Sequence, residues 1–209
     1  MTNIILATLN ARYIHASLGL RYLKANMGEL ESSTTIKEFV TTNRPIDIAE
    51  KLLAESPVII GLGVYIWNVT ESTELVSLIK IISPDTIVVL GGPEISYETE
   101  QQHLCELADY IISGMADLAF VELCHKILSG NAPQEKITRV EQPSLDSIRL
   151  PYDQFTEDDI ENRVIYVEAS RGCPFKCEFC LSSLDKTAWP FDIVHFSHKV
   201  REVIDSTNG

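Results

Sequence analysis

Three cysteines, Cys173, Cys177 and Cys180, fall within the run Arg171-Gly172-Cys173-Pro174-Phe175-Lys176-Cys177-Glu178-Phe179-Cys180. Thiolates spaced Cys-x-x-x-Cys-x-x-Cys can wrap one loop around a cubane 4Fe-4S cluster and leave its fourth iron without a protein ligand. An iron with an open position can take a chelating small molecule, so the loop is a candidate for redox chemistry. The competing chemistry is tetrahedral zinc, with His195 or His198 completing a Cys3His set. Structural zinc sites usually pair Cys-x-x-Cys with a second, distant pair, a pattern that three cysteines in one loop fit less well.

Other residues with chemical potential lie far upstream. Gly91-Gly92-Pro93 follows an apolar run; two residues without Cβ and one with a fixed φ let a flat or bulky cofactor approach the backbone, or simply make a tight strand-to-helix turn. Trp67, alternating with Tyr65, can stack on a flat ligand or close a core. Asn68 suits a helix cap, paired with Glu71, as well as a ligand contact. His15 is a lone loop histidine, a type that more often hydrogen-bonds than binds metal. Cys105 and Cys124 stand alone in helical, partly apolar settings and read as small core residues. Five cysteines, three of them crowded together, do not make a disulfide framework. Thiolate ligation in a reducing, cytoplasmic compartment is the expectation.

These residues need elements to position them. From Asn3 to Gly130, short apolar runs alternate with helical periodicity, the pattern of a parallel sheet covered by helices on both faces. The expected strands are Ile4–Leu9, Thr35–Val40, Val58–Val64, Thr86–Leu90 and Tyr110–Ile112. The second carries Lys37 and Glu38 and the last is short, so both suit sheet edges. Leu20, Leu23 and Met27 share one helical face, and Leu75, Leu78, Ile79 and Ile82 another. A further helix runs from Asp117 to a stop at Gly130. Gly61 and Gly63, inside an apolar run, ease helix packing on the strand. In such sheets ligands bind beyond the carboxyl ends of the strands, where strand order reverses. The loops so placed are Asn10–Ala16, Tyr65–Asn68, Gly91–Glu94 and Gly114–Ala116. After Gly130, a polar, Pro-containing stretch reads as an exposed connection. The apolar run Val164-Ile165-Tyr166-Val167 then predicts a strand leading into the cysteine loop, and a last helix spans Ser197–Asp205, with Ser197 as its N-cap. No Gly-x-Gly-x-x-Gly opens the first helix and no Gly-x-x-x-x-Gly-Lys-Ser/Thr loop occurs, which weighs against nucleotide-binding readings.

The stretch Asn10-Ala11-Arg12-Tyr13-Ile14-His15-Ala16-Ser17-Leu18-Gly19-Leu20-Arg21-Tyr22-Leu23, the turn Val89-Leu90-Gly91-Gly92-Pro93-Glu94, the turn Gly114-Met115-Ala116-Asp117 and the cysteine motif together resemble the cobalamin-binding radical S-adenosylmethionine (SAM) proteins. The resemblance covers nearly all of the chain. It implies an α/β fold: a doubly wound, five-stranded parallel Rossmann-like (flavodoxin-like) cobalamin domain over residues 1–130, a linker over 131–160, and over 161–209 the first β/α unit of a partial radical SAM barrel. The corrin would lie over the strand ends, with the dimethylbenzimidazole tail in the crevice near Gly91 and Gly92. Candidate cobalamin contacts are Asn10, Tyr13, Ile14, His15, Tyr65, Trp67, Asn68, Gly91, Gly92, Pro93, Glu94 and Gly114. Cys173, Cys177 and Cys180 would hold the 4Fe-4S cluster, whose free iron chelates SAM and cleaves it reductively to a 5′-deoxyadenosyl radical, with Phe179 beside the adenine. The loop after the first strand departs from the Asp-x-His-x-x-Gly signature of proteins that supply a histidine to cobalt: no Asp stands before His15 and no Gly three residues after it. Cobalamin is therefore expected without His15 on the metal.

The implied activity is methyl transfer to an unactivated carbon or a radical rearrangement, on a small-molecule or peptide substrate. Two alternatives stand beside it: a noncatalytic cobalamin carrier or sensor with a vestigial cluster loop, and a radical SAM methylthiotransferase, although that group carries an extra N-terminal cysteine trio. A formal net charge of -13 and a pI near 4.7 count against nucleic acid as a partner. No apolar run reaches the roughly 18 residues of a membrane span, so no membrane is expected. Residues 181–209 lack the later SAM-binding segments of a radical SAM core. The expectation is that the chain carries only the start of that core, with the rest absent or on a separate chain, and that alone it binds cobalamin without turning over.

Overall fold

A computed structural model describes residues 4–97, 99–175, 177–178 and 187–206. Strands β1 (Ile4–Asn10), β2 (Thr34–Val40), β3 (Ile59–Gly63), β4 (Ile87–Gly91), β5 (Tyr110–Gly114) and β6 (Ile137–Val140) form one parallel sheet in the order β2-β1-β3-β4-β5-β6. Successive strand side chains point to opposite faces, and both faces are covered, which explains the unbroken apolar runs. Ile5, Ala7, Leu9, Ile60, Leu62, Val88 and Leu90 pack against Ile48 and Leu52 of α2 (Pro45–Leu53) and Leu75, Val76 and Ile79 of α3 (Val69–Ile82). Ile4, Leu6, Ile59, Val89 and Ile112 pack on the other side against Leu20 of α1 (Leu18–Ala25) and Phe120, Leu123 and Cys124 of α5 (Ala119–Leu128). Gly61 serves the helix packing expected of it: a Cβ there would meet the Phe120 ring at 2.8 Å. Cys105, on the short α4 (His103–Leu107), and Cys124 are buried core residues, and burial pushes the Cys124 thiol up to about 12.

The sheet has six strands rather than the expected five, and the sixth lies within residues 131–160, the expected linker. Its Ile-Thr-Arg-Val sequence is exposed in the middle, which an edge strand tolerates and a hydrophobic pattern does not reveal. The edges are therefore β2 and β6, not β5. The rest of the supposed linker is not an exposed tether either: Ile148, Leu150, Tyr152 and Phe155 are buried with Tyr22 and Phe191 in a third apolar cluster on α1. Helix α6 (Glu157–Asn162) follows, started by a reciprocal capping box between Thr156 and Asp159.

The expected strand at Val164–Val167 amounts to one parallel bridge between His15 and Val164. A short antiparallel pair instead precedes the cysteines, β7 (Ser170–Gly172) with β8 (Ala188–Pro190). Helix α7 (Ile193–Ser206) begins before Ser197, where the Asp192 carboxylate accepts from the His195 N–H at 2.7 Å. Asn68 precedes α3 but makes no side-chain capping bond, so the expected capping box with Glu71 is absent. No helix among the described residues is long and apolar enough to cross a membrane.

Candidate functional site

Strand order reverses between β1 and β3, and the carboxyl ends of the strands open there into two adjoining cavities. The narrower, about 230 Å3, runs between the ends of β3, β4 and β5 and helices α1 and α5; Leu20, Leu23, Val89, Ile112 and Phe120 line it. The wider, about 700 Å3, lies over the loop after β1 and is lined by Asn10, His15, Tyr65, Trp67, Tyr166 and Glu168, among others. Leu18, Gly19, Tyr65 and Glu168 border both, so the slot opens into the bowl.

Glycines shape the slot. Among the described residues, nothing lies within 4 Å of where a Cβ on Gly91 would stand, and they leave that face of β4 open to a guest. Gly92 sits at φ +115°, and a Cβ there would collide with the Val64 carbonyl oxygen. Glycine is required at Gly92 by the backbone and at Gly91 only by what must fit beside it. Gly114, with φ +100°, lines the same slot. In the bowl, Tyr65 and Trp67 stack at 4.6 Å between ring centroids and 7° between planes. Trp67 is fixed by its Nε1–H donating to the Leu9 carbonyl at 3.2 Å, yet 47% of it is exposed. A wide bowl with a flat aromatic wall above a narrow apolar slot suits a macrocycle carrying a pendant aromatic base.

Two buried ion-pair systems attach the C-terminal segment to this floor. In the first, Arg21 and Arg163 alternate with Glu38 and Asp159: Arg21 donates to Glu38 at 2.9 Å and Asp159 at 2.7 Å, and Arg163 to Glu38 at 2.7 Å and Asp159 at 2.9 Å. All four side chains are at most 7% exposed. Arg163 also donates to the backbone carbonyls of Tyr13 and His15, tying α6 to the loop after β1. Burial pushes the Asp159 carboxyl up, but the Thr156 N–H and the two guanidinium groups more than reverse it and hold it at about 2. Burial likewise raises Glu38, and Arg163, Arg21, Asn10 and Ser17 bring it below its ordinary value.

The sign of the pH dependence follows. Both carboxyls titrate lower in the folded than in the unfolded chain, so their contribution is complete above about pH 4 and is lost as pH falls from there toward about 2. Asp159 alone accounts for on the order of 2 kcal/mol. The melting temperature is expected to fall steeply between pH 5 and pH 2.5; a flat profile over that window would remove this role for the ring.

The second system reaches the cysteine loop. Arg171, two residues before Cys173, makes a bidentate pair with Asp117 at 2.6 and 2.8 Å, contacts Glu168 at 3.2 Å and lies 4.6 Å over the Tyr22 ring. Burial opposes the Arg171 charge, but the two carboxylates outweigh it and hold the guanidinium above its already high range. Asp117 follows β5, and it, Arg171 and Glu168 all line the slot. The residue that introduces the cysteines is thus part of the wall of the cavity. Lysine cannot make the paired contact, so Arg171→Lys is expected to cost about 2 kcal/mol of unfolding free energy, read from the denaturant midpoint. An unchanged midpoint would mean the pair contributes nothing.

Cys173 is half-buried and Cys177 exposed, both as free thiols, which leaves them open to a metal cluster. Cys180 and Phe179 lie outside the described residues, and among the described residues no three His, Cys, Asp or Glu side chains gather as a metal site. Of the zinc alternatives, His198 contacts Glu202 at 3.3 Å on α7, and His195 lies in its first turn.

The expected cobalamin contacts separate into two groups. Asn10, His15, Tyr65, Trp67, Gly91, Gly92 and Gly114 line one cavity or the other. Tyr13 and Ile14 do not: Tyr13 donates to Asp158 at 3.0 Å beside Arg163. Pro93 and Glu94 also lie outside both linings, at the start of a 3-10 turn. Asn68 is fully buried, its amide donating to the carbonyls of Leu9 at 3.0 Å and Gly63 at 3.2 Å while its oxygen accepts from the Tyr65 N–H at 2.9 Å. It fixes the aromatic wall from behind. His15 Nδ1 lies 2.6 Å from the Tyr166 hydroxyl. Sequence reasoning missed Arg171, Glu168 and Tyr166, whose neighbours along the chain give no sign that they fold back over the first domain.

Comparison with known proteins accords with this geometry. The family model described as the B12 binding domain matches residues 4–124. A Pyrococcus horikoshii protein described as "Uncharacterized methyltransferase PH0819" is 25% identical over an alignment of 220 positions, gaps included, that covers 89% of this chain and 47% of that protein. The solved structure of the cobalamin-dependent S-adenosylmethionine radical enzyme OxsB with aqua-cobalamin bound shares the fold, with a TM-score of 0.75 and 17% identity over 98% of this chain and 32% of that one. The chain spans about half the length of the curated relative it matches.

Proposed function

The chain belongs to the B12-binding domain family, and from that premise we propose that it is the cobalamin-binding and cluster-loop portion of a cobalamin-dependent radical SAM enzyme. The observation that carries the proposal is the buried Arg171–Asp117 pair, which makes the lead-in to three closely spaced cysteines part of the wall of the crevice. In a B12-binding fold, a lead-in held in that wall supports a candidate redox loop beside the corrinoid site rather than on a remote tether.

When bound, cobalamin supplies a methyl carrier and the 4Fe-4S cluster with SAM supplies a radical source. This chain's own residues bind and orient them. Tyr65 and Trp67 offer the corrin a flat wall, and the space at Gly91 admits the pendant base. Cys173, Cys177 and Cys180 would hold the cluster and leave a position for SAM, and Phe179 would lie beside its adenine. Arg171 sets the start of the loop. The reaction is methyl transfer or a radical rearrangement on a small-molecule or peptide substrate.

His15 takes no part in metal binding on this reading, because the loop after β1 lacks the Asp-x-His-x-x-Gly signature; its Nδ1 hydrogen-bonds the Tyr166 hydroxyl. With the base held in the slot, neither His15 nor the tail would ligate cobalt. Pulsed EPR of the cob(II)alamin-loaded chain is expected to show coupling to the corrin nitrogens alone, with none from an axial imidazole nitrogen. Coupling that disappears in His15→Ala would assign the histidine to cobalt and overturn this arrangement.

A further inference from the structure

We infer that the slot selects the lower base of its corrinoid, accepting an apolar aromatic tail such as dimethylbenzimidazole and discriminating against a purine. The inference rests on the cobalamin reading above and deepens it. The walls reached by a base beside Gly91 are apolar: Leu20, Leu23, Val89, Ile112 and Phe120. Most polar groups in the lining are already engaged, the buried Tyr22 hydroxyl being the exception. Asp117 and Arg171 hold each other through two hydrogen bonds, and Glu168 contacts Arg171. The Gly91 carbonyl accepts from the Val64 N–H at 2.8 Å, the Gly92 carbonyl from the Ser96 hydroxyl at 2.8 Å, and the Ala116 carbonyl from the Phe120 N–H at 2.9 Å. The Gly63 carbonyl accepts from Thr8 and Asn68.

Adenine brings an exocyclic amine and ring nitrogens that lose water on entry and find few partners here, whereas the methyl groups of dimethylbenzimidazole need none. Leaving buried polar groups unpaired costs enough to weaken binding roughly tenfold or more. A slot built for a purine would present several free donors and acceptors, as sites that read polar groups do, rather than the single Tyr22 hydroxyl.

The test is a series of corrinoids titrated into the purified chain, with binding read from the corrin spectrum. Cobalamin, adeninylcobamide, p-cresolylcobamide and tail-less cobinamide are compared. The p-cresolyl form has no nitrogen to coordinate cobalt and incurs no cost of release, whereas dimethylbenzimidazole coordinates more strongly than adenine, so a preference for both over the adeninyl form reports the slot and not the release of the base from the metal. The expected result is that cobalamin and p-cresolylcobamide each bind at least tenfold tighter than adeninylcobamide, with cobinamide weakest. Equal or tighter binding of adeninylcobamide, with both ahead of cobinamide, would overturn the selectivity while leaving the cobalamin site intact. If cobinamide binds as well as the complete corrinoids, or none binds, the tail-in-slot reading fails and the selectivity with it.

Discussion

Gly91→Leu is expected to abolish stable corrinoid binding while leaving the protein folded. Among the described residues, a Cβ at this position meets nothing within 4 Å, so a side chain here starts into open space, and leucine occupies the space the base needs. The backbone imposes no penalty, since Gly91 is a strand residue outside the positive-φ glycines. Replacing glycine in such a place also lowers the entropy of the unfolded chain, which favours an unchanged or slightly raised melting temperature. Affinity should fall roughly a hundredfold, about 2.7 kcal/mol, because the bound form would have to leave its tail outside. Gly92→Leu makes the contrast: its φ of +115° and the clash with Val64 predict a loss of fold as well as of ligand. If Gly91→Leu binds cobalamin as the parent does, the slot is not where the tail goes.

Cys177→Ala is expected to remove cluster-bound iron and sulfide and leave corrinoid binding intact. Cys177 is exposed and lines neither cavity, so its loss should disturb little of the packing. A cubane held by only two protein thiolates is not retained, and iron and sulfide after anaerobic reconstitution should drop to background. Corrin uptake by the same sample is the internal control. Iron retained at the parent level would show that Cys177 is not a ligand; loss of both cofactors together would mean that the two sites do not form separately.

Much of the fold is legible in the sequence because strands covered on both faces must be apolar throughout, and Ile4–Leu9, Val58–Val64 and Thr86–Leu90 satisfy that requirement without help from elsewhere. The structure trims or extends them by a residue or two. What escapes is whatever depends on contacts distant in the chain. Thr138 and Arg139 of β6 are polar because the strand is an edge, and Pro143 and Pro151, ordinary marks of a connection, sit instead in a segment pressed onto Tyr22. Arg163 and Arg171 are single charged residues with no local pattern; only folding shows that they are buried against Glu38, Asp159 and Asp117. Among the site residues, Gly91 and Trp67 are readable because their chemistry is local, a missing side chain and a flat ring after a strand. Asn68 misleads, since the same amide that caps helices here holds up three backbone groups.

The central claim is that one polypeptide holds a corrinoid and an iron–sulfur cluster side by side. Anaerobic reconstitution with iron, sulfide and hydroxocobalamin, followed by desalting and an absorption spectrum, tests it most directly. Retention of a corrin band together with a broad sulfur-to-iron charge-transfer band is the expected result. A corrin band that washes away, or cysteines that hold only zinc, would contradict it.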